Sequence, residues 1–159
     1  MQLIAVAAVA ENGVIGRDGD VPWSLPADRR QYRARVADSP VILGRPTFES
    51  MRDDLPGGSQ IVLTTTARQY PEPSVTVVNS VADALETLDA RGVECAYVLG
   101  GATVYEQFLP HLTEMYLSRV PGRPAGTSFF PAFDRDAWKL LEATDHEGFT
   151  LEHWRRRDA

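Results

Sequence analysis

Short apolar runs rich in β-branched residues recur at 2–9, 41–43, 60–64, 75–78, 95–99, 114–120, 138–143 and 150–156, with turn-forming residues between them. They predict eight strands. Between the earlier runs the spacing becomes helical at 26–36, where Pro26 suits a first turn, at 47–51, at 81–91 between a Ser80 cap and Gly92, and at 102–109. Alternation of this kind predicts an α/β fold with a mixed, mostly parallel eight-stranded sheet and about four flanking helices. After Glu114 the helical spacing stops, so the remaining strands are expected to pair antiparallel and to end in a C-terminal hairpin. No internal repeat or low-complexity linker interrupts the 159 residues, and a single domain over 1–159 is expected. In open sheets of this class ligands bind beyond the carboxyl ends of the strands, so chemistry is sought in the loops after Val9, Leu43, Leu63 and Leu99.

Composition narrows the classes. With 16 Lys plus Arg against 22 Asp plus Glu the formal charge is −6, and no broad basic face offers counterion release, so nucleic acid is not an expected partner. Cys95 is the single cysteine, which excludes an intramolecular disulfide framework and suits a reducing, cytoplasmic setting. Leu3 to Ala10 is apolar and ends in Ala8-Val9-Ala10, yet no Lys or Arg precedes it and it is short for a signal sequence, so it reads as a strand. No run reaches the roughly 18 apolar residues of a membrane span, and a soluble protein with no membrane contact is expected. Fifteen of the 16 basic residues are Arg, Lys139 being the exception; a GC-rich genome and a halophilic adaptation to a salty cytoplasm both account for this. His111, His146 and His153 match no zinc-ligand spacing, and no metal is expected.

Two loops have the equipment for phosphate. Gly44-Arg45-Pro46-Thr47 and Gly100-Gly101-Ala102-Thr103 each follow a strand and open a helix, where backbone N–H groups converge; each could equally be a tight turn. After Leu63 come Thr64-Thr65-Thr66 and Arg68, at a position where a site for an unmodified ribose places an acid, so hydroxyls and a guanidinium there suit a 2′-phosphate. In Val21-Pro22-Trp23-Ser24-Leu25-Pro26-Ala27-Asp28 a Trp between prolines makes a stiff corner, and Asp28 falls in the first helical turn, one turn before Tyr32. Such an Asp either points to water in the helix dipole or turns inward over a cleft to accept N–H bonds from a planar heterocycle, and spacing leaves both open.

The segments Asn12-Gly13-Val14-Ile15-Gly16, Pro22 to Asp28, Val41 to Ser50, Leu55-Pro56-Gly57 and Leu99 to Tyr105 together resemble dihydrofolate reductase in order and spacing from Leu3 to Phe130. The Lys-poor, acidic composition is similar to the haloarchaeal members. The resemblance implies NADPH-dependent reduction of 7,8-dihydrofolate to 5,6,7,8-tetrahydrofolate, a step of one-carbon metabolism, by a monomer. It gives Asp28 the role of the pterin-pocket carboxylate, with the N5 proton arriving through a water near Trp23. Val6, Ala8, Tyr32, Met51, Leu55 and Leu99 line that pocket, Ser118 hydrogen-bonds Asp28, and Gly100–Gly101 is the family's cis peptide. Ala8 also borders the cofactor. Val14, Ile15, Gly16, Arg17, Asp18, Gly19, Asp20 and Val21 correspond to the loop that closes over nicotinamide. Gly44, Arg45, Pro46, Thr47, Thr64, Thr65 and Asn79, with Gly100, Gly101, Ala102, Thr103, Val104, Tyr105 and Gln107, make up the rest of the cofactor site.

Two departures stand out. The family often has an Arg after Leu-Pro-Gly that pairs with the substrate's glutamate, and here that residue is Gly58. It also often has a third Gly and an Arg where this chain has Ala102 and Thr103, so one cation for the 2′-phosphate is missing. Arg29 and Arg33 on the Asp28 helix are the expected replacements at the cleft mouth. Two other activities fit the residues less closely: a same-fold reductase of a ribosylated pyrimidine, and an NADPH-binding sensor that does not turn over.

Overall fold

The computed structural model describes residues 1–16 and 24–158. Its main sheet has eight strands in the order β5-β4-β3-β6-β1-β7-β10-β9, formed by β1 (Gln2–Ala10), β3 (Pro40–Gly44), β4 (Ser59–Leu63), β5 (Val75–Val78), β6 (Cys95–Gly100), β7 (Glu114–Val120), β9 (Trp138–His146) and β10 (Phe149–Arg156). Four helices connect the parallel part: α1 (Pro26–Val36), α2 (Arg45–Ser50), α3 (Val81–Ala90) and α4 (Ala102–Phe108). Pro26 stands in the first turn of α1, and the Ser80 side chain caps α3 by accepting from the Asp83 N–H at 3.0 Å, as the sequence predicts.

β1 lies between β6 and β7 and is covered on both faces, which explains why it reads as an unbroken apolar run. Its odd-numbered residues Leu3, Ala5, Ala7 and Val9 pack with Ala84 and Leu88 of α3 and Val104 and Phe108 of α4. Its even-numbered Ile4 and Val6 pack on the other face with Val36 of α1 and Phe48 of α2. The helices that follow β1 and β6 therefore leave on opposite faces of the sheet, the arrangement that opens a crevice between the two strands.

Two expectations need correction. β7 does not pair antiparallel throughout: it runs parallel to β1 from Ile4↔Glu114 to Ala10↔Val120, and antiparallel pairing begins only with β10. The crossover that delivers β7 is α4 itself, so the change of direction comes one strand later than the loss of helical spacing suggests. A second, two-stranded sheet of β2 (Val14–Gly16) and β8 (Ser128–Phe129) also forms, from segments too short to carry a periodic signal. In the terminal run Arg155-Arg156-Arg157, Arg156 has a structural role. Arg156 donates to the carbonyls of Leu112 and Leu109 at 2.8 and 2.6 Å and lies over the Trp138 ring, satisfying carbonyls that follow α4.

Candidate active site

The crevice can be traced to the register. β1 pairs with β6 only from Gln2↔Cys95 to Ala5↔Val98, whereas its pairing with β7 continues to Ala10. Beyond Ala5 one edge of β1 is therefore open, and a cleft of about 1020 Å³ occupies the gap. An exposed strand edge leaves carbonyls in need of donors. The Val6 carbonyl is met by the Tyr105 hydroxyl at 2.6 Å. Burial raises the pKa of the Tyr105 phenol far above its ordinary value, so it stays a neutral donor.

Asp28 projects from the first turn of α1 into this cleft, half-buried rather than pointing to water. The Ser118 hydroxyl donates to its Oδ1 at 2.5 Å, and the Gln31 amide donates to the same oxygen at 2.9 Å. Ser118 is 2% exposed and opposite Ala8 in the β1–β7 register, so the sheet itself sets the carboxylate's direction. Gln31 lies one turn along α1 from Asp28, and this i,i+3 spacing is the sequence signal that points to it. Both donors address Oδ1, which leaves Oδ2 for a further donor. Asp53 and Asp54 also line the cleft but are exposed at its mouth, so Asp28 is the one half-buried carboxylate among the described residues that line it.

Of the expected substrate residues, the cleft brings together Val6, Ala8, Asp28, Arg29, Tyr32, Arg33, Met51 and Leu99. Ser118 acts from behind Asp28, and Leu55 packs against the core on the α1 side without lining the cleft. Of the expected cofactor residues, Ile15, Gly44, Pro46, Thr47, Gly101, Ala102, Thr103, Val104 and Tyr105 line it. Val14 is buried, with 1% exposure, and pairs with Phe129, while Gly16 pairs with Ser128; neither lines the cleft. Gly100 lies beneath the Tyr105 ring, and Gln107 is exposed on α4. Arg45, Thr64, Thr65 and Asn79 lie outside the cleft at the ends of β3, β4 and β5, where the Asn79 amide donates to the Thr64 carbonyl at 2.9 Å. Arg17, Asp18, Gly19, Asp20, Val21 and Trp23 lie outside the described residues. Ala7, Ser24, Leu25, Pro26, Ser50, Asp53, Asp54 and Ser128 line the cleft without having been expected there.

The two glycine turns fit a dinucleotide. Gly44 and Gly101 are the N-cap residues of α2 and α4 and bring no side chain to those caps. A Cβ at Gly44 would stand 3.0 Å from Val104 Cγ2, and one at Gly101 would stand 3.5 Å from Thr47 Oγ1. The turns thus press together in a way that larger residues would obstruct, and the peptide between Gly100 and Gly101 is cis.

The model of the dihydrofolate reductase family matches residues 2–154. The chain belongs to the dihydrofolate reductase family. It is 38% identical over 164 residues to dihydrofolate reductase HdrB of Haloferax volcanii, covering 99% of this chain and 84% of that one. Dihydrofolate reductase 1 of Haloarcula marismortui is 37% identical over 166 residues, covering 94% and 89%. Among solved structures, dihydrofolate reductase from Enterococcus faecalis, complexed with NADP(H) and RAB-propyl, superposes with a TM-score of 0.86 at 30% identity, covering 99% of this chain and 97% of that one. As a dihydrofolate reductase, the chain is an oxidoreductase that reduces 7,8-dihydrofolate to 5,6,7,8-tetrahydrofolate with NADPH. Among the described residues no helix is long and apolar enough to cross a membrane.

Proposed function

We propose that Asp28 fixes the pterin of dihydrofolate and that the remaining cleft residues are ordered around that contact. The observation that carries this is the pair of donors on Asp28 Oδ1, Ser118 and Gln31, which aim the carboxylate inward and leave Oδ2 to accept from the N3 and 2-amino edge of the pterin. Val6 and Ala8 give the ring room against β1, and Tyr32, Met51 and Leu99 wall it in. A carboxylate bound to that edge cannot itself reach N5, so the proton travels through a water, beside which Trp23 is placed in this assignment. When bound, NADPH supplies the hydride for C6. Gly44, Pro46, Thr47 and Gly101 to Tyr105 face it along the cleft, and Arg45, Thr64, Thr65 and Asn79 take the adenosine and phosphate end. Titration of dihydrofolate against protein fluorescence tests the pterin contact: Asp28→Asn is expected to weaken binding at least about tenfold, the scale of a hydrogen bond to a charged group. Unchanged affinity in a normally folded variant contradicts it.

The tail of the substrate is held from α1. Gly58 is exposed and contributes no cation, and a Cβ there would stand 3.3 Å from the backbone of Asp38 in the turn between α1 and β3. Arg29 and Arg33 both line the cleft, and Arg33 reaches across its mouth to Asp54 at 3.4 Å. An ion pair whose carboxylate is this exposed is weak, about 0 to 1 kcal/mol. Arg29→Ala or Arg33→Ala is therefore expected to raise the Michaelis constant for dihydrofolate less than about tenfold with little effect on turnover. A dihydropterin without the glutamate tail should show no change, and an equal change with that substrate would place these arginines elsewhere.

The 159 residues work as one unit, a cytoplasmic monomer with no nucleic-acid partner, on the support of one sheet that gathers strands from Gln2 to Arg156 and of the net charge of −6. The acidic, Arg-biased composition and the likeness to two haloarchaeal enzymes support a halophilic setting. Molar KCl is expected to preserve or raise the thermal midpoint. A midpoint that falls steadily with KCl would leave base composition of the genome as the explanation.

A further inference from the structure

Beyond the ends of β3 and β4, outside the cleft, two guanidinium groups converge on one carboxylate. Arg45 Nη1 lies 3.4 Å from Glu49 Oε2, and Arg68 Nη1 lies 3.7 Å from Glu49 Oε1. The Tyr70 hydroxyl donates to the same Oε1 at 3.1 Å. Arg68 is also tied to the threonine loop: its Nε donates to Thr66 Oγ1 at 3.3 Å, and that hydroxyl lies 3.1 Å from Thr64 Oγ1.

The loop is clamped to α2, which keeps Arg68 in place. Tyr70 packs against the buried Phe48 ring at 4.7 Å and carries the Arg52 guanidinium 4.9 Å above it. Arg52 in turn forms a two-pronged ion pair with Glu72 at 2.7 and 3.0 Å, and its hydrogen bond holds the Glu72 carboxyl below its ordinary pKa. Two guanidinium groups and the Tyr70 hydroxyl around a single anionic site form a donor set that matches a phosphate dianion better than a carboxylate, which carries half the charge and two oxygens in place of three. The place is also right, since in nucleotide-binding sheets an Arg near the carboxyl end of a neighbouring strand meets a phosphate on the ribose 2′ position, where an unmodified ribose is met by an acid.

We propose that Arg68 is the second guanidinium of the 2′-phosphate site, standing in for the cation absent at Thr103, and that Glu49 holds Arg45 and Arg68 together until the phosphate displaces it. This rests on the assignment of the cofactor's adenosine end to Arg45, Thr64 and Thr65. Glu49 then acts as an internal competitor, so the chain's preference for NADPH over NADH is the difference between what the two arginines gain from the phosphate and what they lose with Glu49. Both arginines and Glu49 are 36–41% exposed, so each change is modest.

The test is a pair of binding titrations, NADPH and NADH against protein fluorescence at low ionic strength, with the thermal midpoint read on the same samples. Arg68→Ala is expected to weaken NADPH by about five- to thirtyfold and NADH by less than about twofold, with Arg68→Lys recovering part of the loss. Glu49→Gln, which keeps an acceptor for Tyr70 and removes the charge, is expected to tighten NADPH by about two- to fivefold and leave NADH unchanged. Equal weakening of both cofactors by Arg68→Ala would make Arg68 a loop anchor and overturn the assignment. Weaker NADPH binding in Glu49→Gln would make Glu49 a support for the arginines in the bound state and overturn the competition. If the unaltered chain binds NADPH and NADH equally, the assignment of the adenosine end fails first.

Discussion

Replacing Asp28 by Asn lowers the rate of hydride transfer by about two to four orders of magnitude at neutral pH, the range of lost acid–base assistance. Asn is nearly isosteric, and its Oδ1 can still accept from Ser118 and Gln31, so the α1–β7 contact survives. What changes is the other atom: an NH2 group replaces the free carboxylate oxygen and turns a donor toward the pterin's own N–H donors. The negative charge that favours a protonated N5 is lost as well. If, as proposed, the N5-protonated pterin takes the hydride, the chemical step in the unaltered chain is expected to slow as pH rises. A single-turnover rate near that of the unaltered chain in a folded Asp28→Asn protein removes Asp28 from the mechanism, and a flat pH profile of that step removes N5 protonation.

Gly57→Ala lowers stability by about 2–5 kcal/mol, without touching any residue that lines the cleft. Gly57 turns the chain into β4 with φ of +80°, a conformation that costs an L side chain about 1–2 kcal/mol. Its added Cβ would stand 2.7 Å from Val41 Cγ1 and 2.8 Å from the Ser39 carbonyl, where β3 begins, and overpacking of that kind costs about 1–3 kcal/mol. The two contributions predict a thermal midpoint lower by roughly 5–15 °C. A midpoint within about 2 °C of the unaltered chain would show that the start of β3 yields easily, contrary to the close approach seen there.

The parts legible in the sequence are those governed by local pattern. The unbroken apolar run of β1 announces a strand buried on both faces, Ser80 announces the start of α3, and the loss of helical spacing after Glu114 announces the terminal hairpin. An apolar, β-rich run identifies β7 as a strand but says nothing about its neighbours, so its parallel pairing with β1 was not accessible from it. The direction of Asp28 is a similar case, because the decision belongs to Ser118, 90 residues away on the sheet. Glu49 sits on the exposed side of a six-residue helix, and its role depends on Arg68 and Tyr70, which arrive from a loop without regular structure. The missing cations at Gly58 and Thr103 were visible at once. Where their replacements stand required the fold.

The central claim is that this chain carries a hydride from NADPH to dihydrofolate. Purified protein mixed with NADPH and dihydrofolate, followed through the nicotinamide absorbance, tests it directly. The expected result is cofactor oxidation that requires dihydrofolate, yields tetrahydrofolate one for one, and does not occur when a ribosylated pyrimidine is supplied instead. Binding of both ligands without oxidation, or oxidation only with the pyrimidine, contradicts it.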